Sequence, residues 1–153
     1  MSNIYSADFE TTTQAWKTDE TRVWMGAYVN IEDHASDDKV TIFSCIEDFM
    51  WLMENHMKDK DVIYFHNLKF DGSFIINGLM ADGFEFVENL WDSPLKRAFS
   101  TMISDQGIWY SITVRFGFRK TITIKNSMCL VQGSVASIGK SFGTRKQKLD
   151  MDY

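Results

Sequence analysis

Along the chain the spacing of apolar residues changes rhythm several times, and each change marks an element. Ile4-Tyr5-Ser6-Ala7 is a short extended run that leads into Asp8 and predicts a first strand over Ile4–Asp8. Gln14 to Thr21 is polar and reads as a loop. Arg22 to Asn30, rich in aromatic and β-branched residues, predicts a second strand. Ile31 to Asp38 reads as a turn, and Lys39 to Phe43 as a short third strand. The period then lengthens: Ile46, Phe49, Met50, Met53 and Met57 are spaced for one face of a helix, which assigns the methionines to the core. Ser44, with Glu47 three residues later, forms a capping-box start, and Lys58 to Asp61 closes the helix.

Val62-Ile63-Tyr64-Phe65 is almost wholly apolar, as a buried central strand is. It runs straight into His66-Asn67-Leu68-Lys69-Phe70-Asp71-Gly72. A second helix follows, with Phe74, Ile75, Leu79 and Met80 apolar and Gly83 as its stop. After a loop carrying Trp91 and Pro94, alternating segments predict a β-hairpin, roughly Phe99 to Ile103 through Ile108 to Phe116, and Lys120 to Ile124. Ser127-Met128-Cys129-Leu130 leads to a last helix with Val135, Ile138 and Phe142 at helical spacing, stopped by Gly143. Three adjacent strands followed by helix, strand and helix predict an α/β sheet with a meander at one end.

Composition narrows the class. With 153 residues, 44% of them hydrophobic and 14% aromatic, the chain should bury a real core as one domain over 1–153, which excludes a disordered protein. There is no repeat or low-complexity run, no signal-peptide pattern and no apolar stretch of membrane-spanning length, so a cytoplasmic protein with no membrane partner is expected. Cys45 and Cys129 are expected as reduced core thiols rather than a disulfide framework. The net charge of −5 does not advertise nucleic-acid binding, but its distribution does more. Up to Ser93 there are 6 Lys/Arg against 18 Asp/Glu, a net of −12; from Pro94 onward there are 10 against 3, a net of +7. An acidic half suited to cations stands beside a basic half suited to phosphates.

The chemistry gathers in two places. On a strand Asp8 and Glu10 share a face while Phe9 points away. Two such carboxylates repel unless a cation sits between them, and hard ions such as Mg²⁺ or Mn²⁺ take oxygen ligands. Read alone, the pair describes a solvated strand edge followed by a Thr-rich turn. Asp71 follows the apolar fourth strand at a helix start, where open α/β sheets place their sites. A carboxylate is favoured there by the helix dipole, so Asp71 taken alone also reads as a cap. His66, Asn67, Lys69 and Phe70 beside it form a polar density that a core does not need, and Phe70 can stack on a base. No second His or Cys lies at zinc-ligand spacing from His66.

Asp8-Phe9-Glu10-Thr11-Thr12-Thr13 and His66-Asn67-Leu68-Lys69-Phe70-Asp71-Gly72 resemble the first two exonuclease motifs of family B DNA polymerases, most closely the protein-primed, phi29-type phage branch. Trp24, Asn30-Ile31-Glu32-Asp33-His34, Asn126-Ser127-Met128 and Lys148-Leu149-Asp150-Met151-Asp152-Tyr153 match that branch in order and spacing, so the resemblance covers essentially the whole chain. It implies a ribonuclease H-like 3′→5′ proofreading exonuclease domain with a mixed sheet of about five strands, flanking helices and an inserted hairpin. It also implies that Asp8, Glu10 and Asp71 hold Mg²⁺ or Mn²⁺ in a two-metal site, with no small-molecule cofactor. Thr11, His66, Asn67, Phe70 and Phe74 would hold the frayed single strand. Ser127 and Met128 would add a further strand-binding pair, although the family often has Asp where Asn126 stands and Leu where Met128 stands. Lys148, which alone reads as part of a solvated basic tail, would be a catalytic lysine, and Tyr153 would lie near the primer end. The partners implied are the 3′ end of single-stranded DNA and the remainder of a DNA polymerase.

The family's last metal-ligand Asp, in a Tyr-x-x-x-Asp motif, is not among the 153 residues, nor is any polymerase motif. A three-carboxylate site should hold its metal weakly, so this chain alone is expected to be a poor exonuclease. The alternative is a non-catalytic phage protein that keeps the fold and binds single-stranded DNA or a protein partner, as a replication or anti-defence factor.

Overall fold

The computed structural model describes residues 2–12, 21–33 and 39–143. Among the described residues eight strands form one sheet: β1 (Ile4–Thr11), β2 (Val23–Asn30), β3 (Thr41–Phe43), β4 (Val62–Phe65), β5 (Glu85–Phe86), β6 (Arg97–Ile103), β7 (Trp109–Phe116) and β8 (Thr121–Asn126). Their order across the sheet is β3-β2-β1-β4-β8-β7-β6-β5. β1 and β4 are parallel, as are β4 and β8, whereas β1–β2–β3 and β8–β7–β6 are antiparallel meanders on either side. The sheet is wider than the expected five strands because the hairpin is no appendage. β8 pairs with the central β4, and the rest of the hairpin extends the same sheet.

Three α-helices accompany it among the described residues: α1 (Ile46–Asn55), α2 (Leu68–Ala81) and α3 (Val135–Phe142). Phe49, Met50 and Met53 of α1 and Leu68, Ile75 and Leu79 of α2 are buried in one core with Ala7, Phe9, Ile63, Phe65, Ile112, Val114, Ile122 and Ile124 of the strands. The methionine stripe is therefore core, as its spacing predicts. Phe9 is the hub: its ring meets Phe43, Phe49 and Phe65 edge-on at centroid distances of 5.8, 5.1 and 4.8 Å.

Local chemistry corrects the reading at several points. Cys45, not Ser44, is the N-cap of α1, and it makes no side-chain cap bond; Ser44 Oγ instead donates to Asp48 Oδ2 at 3.3 Å, so no capping box forms. The helix ends at Asn55, before Lys58. α2 begins at Leu68, which puts Asp71 inside its first turn rather than at its cap; the N-cap is Asn67, in the left-handed conformation (φ 64°) that Asn tolerates. Cys129 is exposed and Cys45 only partly buried, so neither is the core thiol expected; both are free.

Two buried polar residues fix the frame. Asp61 accepts from the backbone N–H of Asn3 at 2.7 Å and of Lys58 at 2.8 Å, which ties the entrance of β4 to that of β1 and sets their parallel register. Arg115 donates to the carbonyls of Ser93 at 2.8 Å and Leu95 at 3.0 Å, and to that of Leu90, pinning the 90–95 loop against the sheet. Among the described residues no helix is long and apolar enough to cross a membrane.

Candidate active site

The outlets of β1 and β4 open into a groove of about 820 Å³. Period-two alternation builds one wall. Ala7 and Phe9 are buried, Asp8 is exposed and Glu10 partly so, and both carboxylates line the groove. Phe9, held among three phenylalanine rings, thus anchors the backbone that presents its two acidic neighbours. Thr11 closes this wall at the end of β1.

The second wall is the first turn of α2. Leu68, Asp71, Gly72, Ile75 and Leu79 make up the buried stripe of that helix, so a carboxylate occupies a position where its neighbours along the stripe are apolar. Asp71 is only 3% exposed, and its Oδ1 has no hydrogen-bond partner. Burial first, then the charge of Asp8 and to a lesser degree that of Glu10, push its pKa up to about 7, against opposing contributions from the backbone N–H groups of Asp71 itself and Phe9. A buried carboxylate with an orphan oxygen is costly unless a cation or proton meets it. That is not how a helix cap behaves, and the oxygen-only donor set fits a hard divalent ion. The three carboxylates face one groove, and Asp71 feels the charges of the other two. As placed, however, no group of three or more His, Cys, Asp or Glu among the described residues is assembled to hold a metal ion.

The remaining strand-binding candidates surround this centre. Phe70 is about half exposed and meets Phe74 edge-on at 5.5 Å. Asn67 is exposed at the helix start. His66 is latched on both sides: Nε2 donates to the carbonyl of Gly133 at 2.5 Å, and Nδ1 shares a hydrogen bond with Ser127 Oγ at 2.9 Å. Ser127 and Met128 lie on a 3-10 turn after β8 that Asn126 caps by accepting from Met128 N at 3.1 Å. All of these but Phe74 line the groove. Lys148 and Tyr153 lie outside the described residues, as does Thr13 of the first motif.

Sequence reasoning missed the groove's far rim, formed by Gly133, Ser134 and Val135 at the start of α3. The signal present was Ser134, an N-cap whose Oγ accepts from Ser137 N at 3.1 Å, but a cap marks where a helix begins and not what it faces.

The family of type B DNA polymerases, organellar and viral, matches residues 52–153. The DNA polymerases of Bacillus phages PZA and phi29 are each 40% identical over 156 aligned residues, covering 98% of this chain, and that of Streptococcus phage Cp-1 is 30% identical over 150. Phi29 DNA polymerase complexed with primer-template DNA superposes with a TM-score of 0.85 at 34% identity over 100% of the chain, and the same enzyme complexed with single-stranded DNA superposes equally well. The chain spans about a quarter of the length of these relatives. The mixed α/β fold agrees with the ribonuclease H-like exonuclease fold expected from the motifs. The chain therefore belongs to the type B DNA polymerase family, organellar and viral, as an N-terminal domain of the phi29 type.

Proposed function

We propose that the groove is a 3′→5′ exonuclease site for single-stranded DNA 3′ ends, serving proofreading in a phage DNA polymerase. The observation that carries this is the buried Asp71 carboxylate, with its orphan Oδ1, in one groove with Asp8 and Glu10. Asp8, Glu10 and Asp71 would hold Mg²⁺ or Mn²⁺, and what such ions supply when bound is activation of water and charge stabilisation at the departing 3′-oxygen. The chain's own residues do the rest. Phe70, braced by Phe74, offers a face for the terminal base. Asn67, Thr11 and the Ser127–Met128 turn bind the strand's polar edge. Lys148 supplies positive charge against the scissile phosphate. His66 and Ser127 exchange their mutual hydrogen bond for the DNA. With three carboxylates that do not stand assembled, metal affinity and turnover by this chain are weak.

A second reading, a non-catalytic single-strand binder, is favoured by that same lack of a ready three-carboxylate cluster among the described residues. Titrating Mn²⁺ and a single-stranded oligonucleotide separately and together distinguishes the two. The exonuclease reading requires that Mn²⁺ tighten oligonucleotide binding and that Glu10→Ala remove the gain. Binding indifferent to Mn²⁺ favours the binder.

A further inference from the structure

Trp109 stands at a β-bulge. β6 and β7 pair in register through Met102 opposite Ser111, but the next partners are Ile103 and Trp109, so Tyr110 is an extra residue on β7. Residues three apart on a regular strand point to opposite faces. The insertion returns Trp109 to the face of Ile112, as bulges re-aim side chains. There both residues meet the first turn of α2. A methyl group placed on Gly72 would lie 2.9 Å from Trp109 Cζ3, 3.1 Å from its Cε3 and 3.2 Å from Ile112 Cδ1. The helix is thus seated on the indole at the residue next to Asp71, and only glycine admits so close an approach without displacing the ring. The backbone of Trp109 reaches the other wall. Its carbonyl accepts from Asn126 Nδ2 at 2.9 Å, and Asn126 Oδ1 holds the N–H of Met128 at 3.1 Å, fixing the turn from which Ser127 meets His66.

We propose that Trp109 is a positioning residue for the site: its ring seats Asp71 through Gly72, and its carbonyl seats the Ser127 turn through Asn126. One bulge sets the separation of the carboxylate wall and the strand-binding wall. The proposal rests on the metal-site reading above.

The test uses the full 153-residue chain, Mn²⁺ alone as probe, and the Mn²⁺ concentration that half-broadens the amide signals of Phe9 and Asp71 in ¹⁵N spectra. Gly72→Ala should raise that concentration about tenfold, the scale on which supporting residues tune metal sites. Adding Trp109→Leu to Gly72→Ala, which removes the obstructing ring atoms, should bring it back to within about threefold of the parent. Leu79→Ala, farther along α2, should lower the thermal midpoint and leave the Mn²⁺ response unchanged. An unaltered response in Gly72→Ala, or a double variant as weak as the single one, overturns the proposal. Asp71→Asn separates the two levels: if it leaves the broadening unchanged, the metal-site reading has failed and this inference with it. If Gly72→Ala does not fold, Trp109→Phe takes its place; it should weaken the Mn²⁺ response in a folded protein, and an unchanged response counts against the proposal.

Discussion

Asn126 donates its side-chain N–H to the carbonyl of Trp109 at 2.9 Å while its Oδ1 accepts from Met128 N at 3.1 Å. The first bond needs a donor, and a carboxylate has none. Asn126→Asp should therefore leave a carbonyl unpaired beside a largely buried negative charge. The expected loss is about 1–3 kcal/mol at pH 8, measured by urea unfolding. The deficit should shrink as pH falls and the introduced carboxyl regains a proton with which to donate. A loss independent of pH would mean that shape, and not the donor, matters at this position.

The stability of the metal-free protein should follow Asp71. Its folded-state pKa of about 7 lies above the ordinary aspartate value of 3.8, so between these two pH values the folded form holds a proton that the unfolded form has released. Stability from this group is fully present below pH 3.8 and is lost as pH rises toward 7. Asp71→Asn removes the charge and should raise the thermal midpoint at pH 8 by several degrees, on the order of 1–2 kcal/mol, with the gain vanishing near pH 4. Calorimetry at the two pH values checks this. A variant less stable than the parent at pH 8 would show that the carboxylate is satisfied in the folded state.

The Phe9 cluster should govern both wall and fold. Phe9→Ala should cost about 3–5 kcal/mol, as truncations of buried aromatics do. Gly26, paired with Phe9 across β1 and β2, leaves room for Phe43: a Cβ there would fall 2.2 Å from Phe43 Cζ and 3.0 Å from Phe9 Cδ1. Gly26→Ala should cost about 1–3 kcal/mol through overpacking, and Phe43→Leu should recover part of it. Urea unfolding of the single and double variants measures the coupling.

Arg115 offers a contrast far from the groove. Arg115→Met leaves the carbonyls of Leu90, Ser93 and Leu95 without their donor. Limited proteolysis should then cut within the 90–95 loop much faster than in the parent, with Mn²⁺ binding unchanged. Protection equal to the parent's would show that the loop is held by its other contacts.

What the sequence disclosed, and what it did not, follows from the range of each interaction. The alternation around Phe9 and the apolar run Val62–Phe65 are local patterns, and they placed Asp8, Glu10 and the site-bearing strands directly. The spacing of Ile75 and Leu79 is equally local and marks the second helix, yet Asp71 reads as its cap when taken alone, because His66-Asn67 looks like a loop and Asn67 caps through its left-handed backbone rather than its side chain. The difference matters: as a cap Asp71 would be structural, whereas within the buried stripe it is an anomaly that a cation or a proton must offset. The Tyr110 bulge, the reach of Arg115 to three carbonyls and the latch of His66 on Gly133 join residues far apart in the chain. No periodicity encodes such pairings.

Release of nucleotides from a 3′-labelled single-stranded oligonucleotide, with Mn²⁺ in excess, tests the exonuclease assignment most directly. Slow release of single nucleotides from the 3′ end is expected, stopping on chelation and abolished by Asp71→Asn. Release that persists in Asp71→Asn, or oligonucleotide binding with no Mn²⁺-dependent release at all, would contradict it.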